Sequence, residues 1–190
     1  VPARDHAPQP PLPLDEARYA RVYDLARRAL VPARVGRVLF GTAGWTAPPL
    51  TACRAFYPPG ASAPEAKLRY YATQFPLVEV DGTYYALPTP PLCERWAERT
   101  PARFVFDVKA FAALTGHPVE TSRLPNDLRA ELPPALRTKA RLRPNELPDA
   151  LVRACFSRFD EALEPLAHAQ RLGSILLQFP PWFEDIRGSV

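Results

Sequence analysis

Phe75 to Pro88 reads FPLVEVDGTYYALP, an apolar run that carries two carboxylates, Glu79 and Asp81, and then turns at Gly82. Alternate side chains of a β-strand point to opposite faces. Leu77, Glu79 and Asp81 therefore share one face, and Val78 and Val80 the other. Burying an acid in a strand is costly unless it is paired, so two on one face require a partner or a site.

Working outward from this strand, strand-like and helix-like segments alternate. Before it, Arg37–Thr42 (RVLFGT) reads as a first strand that leaves through a tight turn at GTAGW (41–45). Ser62-Ala63-Pro64-Glu65 has the form of a capping box. It opens a helix to about Gln74 with Leu68, Tyr71 and Phe75 on its inward stripe. After the Leu77–Asp81 strand, Thr89-Pro90 opens a second helix that turns Leu92, Cys93 and Trp96 inward and stops at Pro101. Arg103–Ala110 (RFVFDVKA) reads as the third strand. Phe111 to Pro148 is rich in breakers, a length of irregular chain usually given to function, with a short helix at Asn126–Leu132. Asp149–Arg171 is the longest helical pattern, with Leu151, Phe159, Leu163 and Leu166 on one face. Pro165 is placed to kink it and Gly173 to end it. Ser174–Phe179 (SILLQF) is the fourth strand.

Four such alternations predict βαβ units with parallel strands and right-handed crossovers. The fold class is α/β: TIM-barrel-like (βα) units forming an incomplete barrel of about four strands over residues 37–190. The chain has 190 residues, against about 250 for a complete eight-stranded barrel. Residues 1–36 form an extension: a proline-rich tail, then a helix capped by Asp15 and ended by Pro32, expected as an appendage that covers the barrel's N-terminal end.

Parity then locates the chemistry. On the third strand Phe104, Phe106 and Val108 oppose Val105, Asp107 and Lys109. On the fourth, Ile175, Leu177 and Phe179 oppose Ser174, Leu176 and Gln178. Each strand has one apolar face suited to packing under helices. The other carries a polar residue near its C-terminal end, where an α/β barrel builds its site. Glu79, Asp81 and Lys109 are the catalytic candidates, with His117 on the TGHP loop that leaves the third strand. Trp45, Tyr84 and Gln178 are candidates for ligand binding; Trp45, Tyr84 and Tyr85 together read either as the floor of a pocket or as ordinary packing aromatics. Two readings compete for the charges. In one they form a buried ion-pair network that only holds the strands. In the other Lys109 is a charge clamp or nucleophile and a carboxylate is the general acid or base. His168, on a long helix without a partner in sight, reads as solvated or structural.

Composition narrows the class. The chain is 47% hydrophobic and carries a net charge of +4, but all except three of its 24 cations are arginine. They are scattered rather than arranged in the stripe that tracks a phosphate backbone, so nucleic acid is disfavoured. Cys53, Cys93 and Cys155 lack metal-ligand or disulfide spacing and read as buried thiols of a cytoplasmic protein. No metal is expected, and no cofactor is assigned. No apolar run spans a membrane. The chain begins at Val and lacks Met, which fits a removed initiator or a partial sequence.

GTAGW (41–45) with Phe56-Tyr57-Pro58, VEVDGTYYALP (78–88), Trp96 before Thr100-Pro101, FVFDVKA (104–110) with TGHP (115–118), and LLQFPPWF (176–183) together resemble the YecE-like family, also called domain of unknown function 72. The resemblance implies a TIM-barrel-like fold and carries no established activity. It also implies further βα units, with an Arg-His-type motif and a Trp at the same mouth, beyond Val190. The expectation is an uncharacterised protein of this type, an enzyme acting on a small anionic ligand at the C-terminal ends of the strands. The alternatives are a non-catalytic ligand-binding or protein-interaction module and an inactive truncated product. Open barrel edges at the first and fourth strands predict self-association.

Overall fold

A computed structural model describes residues 34–35, 38–53 and 55–183. The helix expected over Asp15–Leu30, and all of the 1–36 extension except Arg34–Val35, lie outside them. In chain order the elements are β1 (Arg34–Val35), β2 (Val38–Leu39), β3 (Gly41–Ala43), α1 (Pro48–Ala52), α2 (Pro64–Gln74), β4 (Leu77–Val80), α3 (Pro90–Glu98) and β5 (Val105–Lys109). Then come β6 (Val119–Glu120), α4 (Asn126–Glu131), α5 (Pro134–Arg137), β7 (Arg141–Leu142), α6 (Asp149–His168) and β8 (Leu172–Leu176). Short 3-10 turns occupy Gly82–Tyr84, Ala112–Thr115, Thr121–Arg123 and Pro144–Glu146.

β3, β4, β5 and β8 form one sheet in that order, each parallel to the next. Every crossover advances in the same direction, so right-handed connections put α2, α3 and α6 on one face. That singly wound arrangement belongs to a barrel rather than to a doubly wound sheet. Val78, Val80, Phe106 and Val108 are at most 4% exposed. They pack with Leu68, Tyr71, Trp96, Leu163 and Leu166 of the helices in a single core. Trp96 stacks on Phe106 with ring centroids 6.1 Å apart. The opposite face of β4 and β5 is half-buried. The expected alternation is present on both strands.

Four expectations are corrected. The first parallel strand is Gly41–Ala43, not Arg37–Thr42: Val38–Leu39 pairs antiparallel with Arg34–Val35 instead. An apolar run of this kind does not choose its partner, and the nearest one along the chain took it. Gly41 makes the junction with β4 possible, because a Cβ there would lie 2.3 Å from the Leu77 carbonyl oxygen. The phenol of Tyr71 secures the same junction. It accepts from the Thr42 N–H at 2.8 Å and the Thr42 hydroxyl at 3.0 Å, and donates to the Leu77 carbonyl at 3.1 Å.

The Ser62 capping box does not form: α2 has Ala63 as its N-cap with no side-chain bond. With Pro64 in the first helical position, Ser62 falls one residue too early. α6 ends at His168 rather than at Gly173. Gln170 takes a left-handed conformation (φ 55°), and the Arg171 N–H closes on the Leu166 carbonyl at 2.8 Å, as in a glycine-type helix end. Gly173 is thereby released into β8, which runs Leu172–Leu176 instead of 174–179. There a Cβ would lie 2.4 Å from Val105 Cγ1 and 2.5 Å from Asp107 Oδ1, so this glycine allows β8 to approach β5. Finally, Cys93 and Cys155 are buried but Cys53 is exposed. Burial pushes the Cys93 thiol up to about 12 and Cys155 to about 11.

Candidate functional site

β5 ends at Lys109, and the chain then turns through Ala112–Thr115 and the left-handed Gly116 (φ 71°) to His117. This tight turn brings the histidine back over the strand end. The Lys109 ammonium lies 5.0 Å from the centre of the Tyr84 ring. Tyr84 meets the His117 imidazole edge to face at 5.3 Å, and Trp182 reaches the same imidazole at 6.3 Å. Nδ1 of His117 is 3.0 Å from the Thr115 hydroxyl. Burial, and then the charge of Lys109, hold the imidazole below its usual pKa. Burial raises the Tyr84 phenol, Tyr85 raises it further, and Arg141 works against both.

Thr83 fixes this arrangement to the sheet. Its hydroxyl lies 2.6 Å from the Lys109 carbonyl and 2.9 Å from that of Val80, sharing one proton between the ends of two strands. Thr83 is only 3% exposed, so the 3-10 turn that carries Tyr84 is anchored from below.

Three of the expected site residues, Lys109, Tyr84 and His117, therefore meet. The others do not join them. Glu79 lies opposite Asp107 in register, on the face that carries Lys109. Among the described residues, the ion pairs are Arg123–Glu120, Lys139–Glu146 and Arg158–Asp127. None involves Glu79, Asp81, Asp107 or Lys109, so the buried ion-pair network is not formed there. Asp107 instead accepts from the Ser174 hydroxyl at 2.7 Å.

Asp81 leaves the strand. Its backbone is helical (φ −83°, ψ −22°), which ends the parity argument at Val80. It lines a largely apolar cavity of about 280 Å³ with Trp45, Thr83, Leu92 and Trp96. Trp45 is tied there by its indole N–H, which donates to the Pro64 carbonyl at 3.1 Å, and by an edge contact to Trp96 at 5.7 Å. Gln178 is exposed beyond the end of β8, and Tyr85 is 63% exposed. His168 is exposed, as a solvated reading requires.

Trp182 and Thr115 were not among the expected site residues. Thr115 carried a signal, being two residues before His117 in the same loop. Trp182 follows a Pro-Pro step outside any strand parity, and its one signal is its place in the LLQFPPWF motif (176–183).

A singly wound parallel sheet, with a lysine, a tyrosine and a histidine gathered at the C-terminal strand ends, defines an α/β-barrel-type protein. Residues 39–188 match the family described as "Protein of unknown function DUF72", and the chain belongs to that family. The UPF0759 protein YunF of Bacillus subtilis (strain 168) is 33% identical over 128 residues, covering 67% of this chain and 36% of YunF. Two crystal structures of a DUF72 family protein from Enterococcus faecalis V583 are also similar. One has a TM-score of 0.46 at 18% identity, over 78% of this chain and 41% of that one. The other has 0.42 at 21%, over 64% and 35%. The chain thus spans 36% of the length of the curated relative it matches. None of the described helices is long and apolar enough to cross a membrane.

Proposed function

We propose that this DUF72 chain binds a small anionic ligand at the C-terminal ends of β4 and β5 and acts on it by acid–base chemistry. The observation that carries this reading is Lys109. Its ammonium lies over an aromatic face and meets no carboxylate among the described residues, so its charge is available to a ligand.

The neighbours have matching roles. The Thr115 hydroxyl is 3.3 Å from the Ala112 carbonyl. When its proton is directed there, Nδ1–H of His117 donates to Thr115, and Nε2 carries the lone pair of a general base. The lowered pKa keeps that imidazole neutral near pH 7. The Tyr84 phenol stays protonated and serves as a donor.

Isothermal titration of wild type and Lys109→Met with mono- and dicarboxylates tests the reading. Saturable binding that weakens at least about tenfold in the variant supports it, as expected when a charge-assisted contact is lost. Equal affinities contradict it.

A second reading, a protein-interaction module, is favoured by the exposed apolar residues on and after β8. Ile175, Leu177 and Phe179 are 42–48% exposed, and the outer edge of β8 is unpaired among the described residues. Sedimentation of the purified chain tests it: concentration-dependent association supports this reading, and a dilution-resistant monomer contradicts it.

A further inference from the structure

The irregular stretch between β5 and α6 is not an idle connection. Thr121 and Ser122 of its second 3-10 turn, Arg129 of α4, Arg137 of α5, and Lys139 and Arg141 around the start of β7 line one open groove of about 590 Å³. That volume falls within the roughly 300–1,000 Å³ of small-molecule sites. The groove's one acid, Glu120, is turned to Arg123 at 3.5 Å, and Lys139 is held by Glu146. The three arginines have no carboxylate partner among the described residues.

Two of these arginines are already positioned. Arg137 Nε donates to the Leu132 carbonyl at 2.6 Å, and one Arg129 Nη donates to the Asn126 side-chain oxygen at 2.9 Å. Each keeps further N–H groups free, and a pinned guanidinium loses less freedom on binding. The Arg141 side chain makes no hydrogen bond or ion pair among the described residues, its backbone being paired with Glu120 in the β6–β7 ladder. Thr121, only 4% exposed, has a hydroxyl without any hydrogen-bond partner.

We propose that this groove binds a phosphorylated small molecule, with its phosphate group held by Arg129, Arg137 and Arg141. Planar guanidinium forks match the oxygens of a phosphate dianion two at a time. The cations are confined to a pocket the size of a small ligand. A nucleic-acid strand would need them continued along a stripe. Lys109 does not line the groove, although Arg141 also acts on the Tyr84 phenol, and the proposal does not depend on the acid–base reading given to Lys109.

The test is calorimetric titration of the full chain with inorganic phosphate at fixed ionic strength, using sodium chloride as the reference salt. Arg129→Gln combined with Arg141→Gln is expected to weaken saturable phosphate binding at least tenfold. Arg153→Gln, on the exposed side of α6, is expected to leave it within twofold of wild type, and Lys109→Met is titrated beside them to locate the phosphate. If the double variant loses cooperative unfolding, Arg141→Lys replaces it. That change keeps the charge but removes the fork, and is expected to weaken binding severalfold. Non-saturating heats, or equal loss in Arg153→Gln, would overturn the site. Loss in Lys109→Met matching that in the arginine variants would place the phosphate at the strand ends instead, and also overturn it. Binding of a single-stranded oligonucleotide without binding of phosphate would overturn the small-molecule reading.

Discussion

The two faces of the four-stranded sheet follow different rules. The face under α2, α3 and α6 is a matter of volume: Val78, Phe106 and Val108 are 0% exposed, and Phe104 and Trp96 pack beside them. The open face carries Glu79, Asp107 and Lys109, half-buried. Its charges are spread between a serine hydroxyl, an aromatic ring and solvent rather than cancelling one another. One strand therefore serves two purposes, and alternation alone separates them. The packed face should respond to changes of shape, and the open face to changes of charge with little effect on the fold.

The largest effect should come from the packed face. Phe106→Ala removes a fully buried ring that stacks on Trp96 and meets Phe104 at 4.9 Å. A loss of about 3–5 kcal/mol in equilibrium urea unfolding is expected. A loss below about 1 kcal/mol would mean that this face is not a packed core.

Next is the seam where β8 meets β5. Gly173→Ala puts a methyl group into Val105 and Asp107. By overpacking it should cost about 1–3 kcal/mol and loosen β8. Hydrogen exchange of the β8 amides would show the loosening, and unchanged protection would argue against the close approach.

Thr83→Val is nearly isosteric but removes the hydroxyl shared by the Val80 and Lys109 carbonyls. A loss of about 1–2 kcal/mol in urea unfolding is expected for a buried bond of this kind. No loss would detach the Tyr84 turn from the sheet.

Lys109→Met should have the smallest effect on the fold. A buried ion-pair network would lose about 3–5 kcal/mol on removal of one partner. With the ammonium over Tyr84 and unpaired among the described residues, about 1 kcal/mol or less is expected. A large loss would return the open face to a structural role.

Much of the packed face was legible in the sequence, because Val78, Val80, Phe106 and Val108 alternate with polar neighbours and period two has one meaning in a sheet. The sequence also placed Lys109 and His117 together, since a loop leaving a strand returns near its end. The strand face assigned to Asp81 is corrected for a local reason: the backbone is helical at Asp81 itself, so strand parity stops at Val80 and the residue lines the Trp45 cavity instead. The limits of β8 were misplaced because a left-handed Gln170 ended α6 and left Gly173 for the strand. Trp182 and Arg141 lie in segments without periodicity, where only the folded chain shows what approaches what.

The central claim, a Lys109 charge without an ion-pair partner among the described residues beside a His117 of lowered pKa, is tested most directly by an NMR titration of the His117 ring in wild type and Lys109→Met. In wild type the ring should titrate below the usual 6.5. The unfolded chain takes up its proton first, so His117's contribution to stability is complete above about pH 6.5 and is lost as pH falls from there through the lowered folded value. Removing the Lys109 charge should raise the pKa without fully restoring it, because burial is the larger cause. A His117 that titrates at or above 6.5 and does not respond to Lys109→Met would contradict the account.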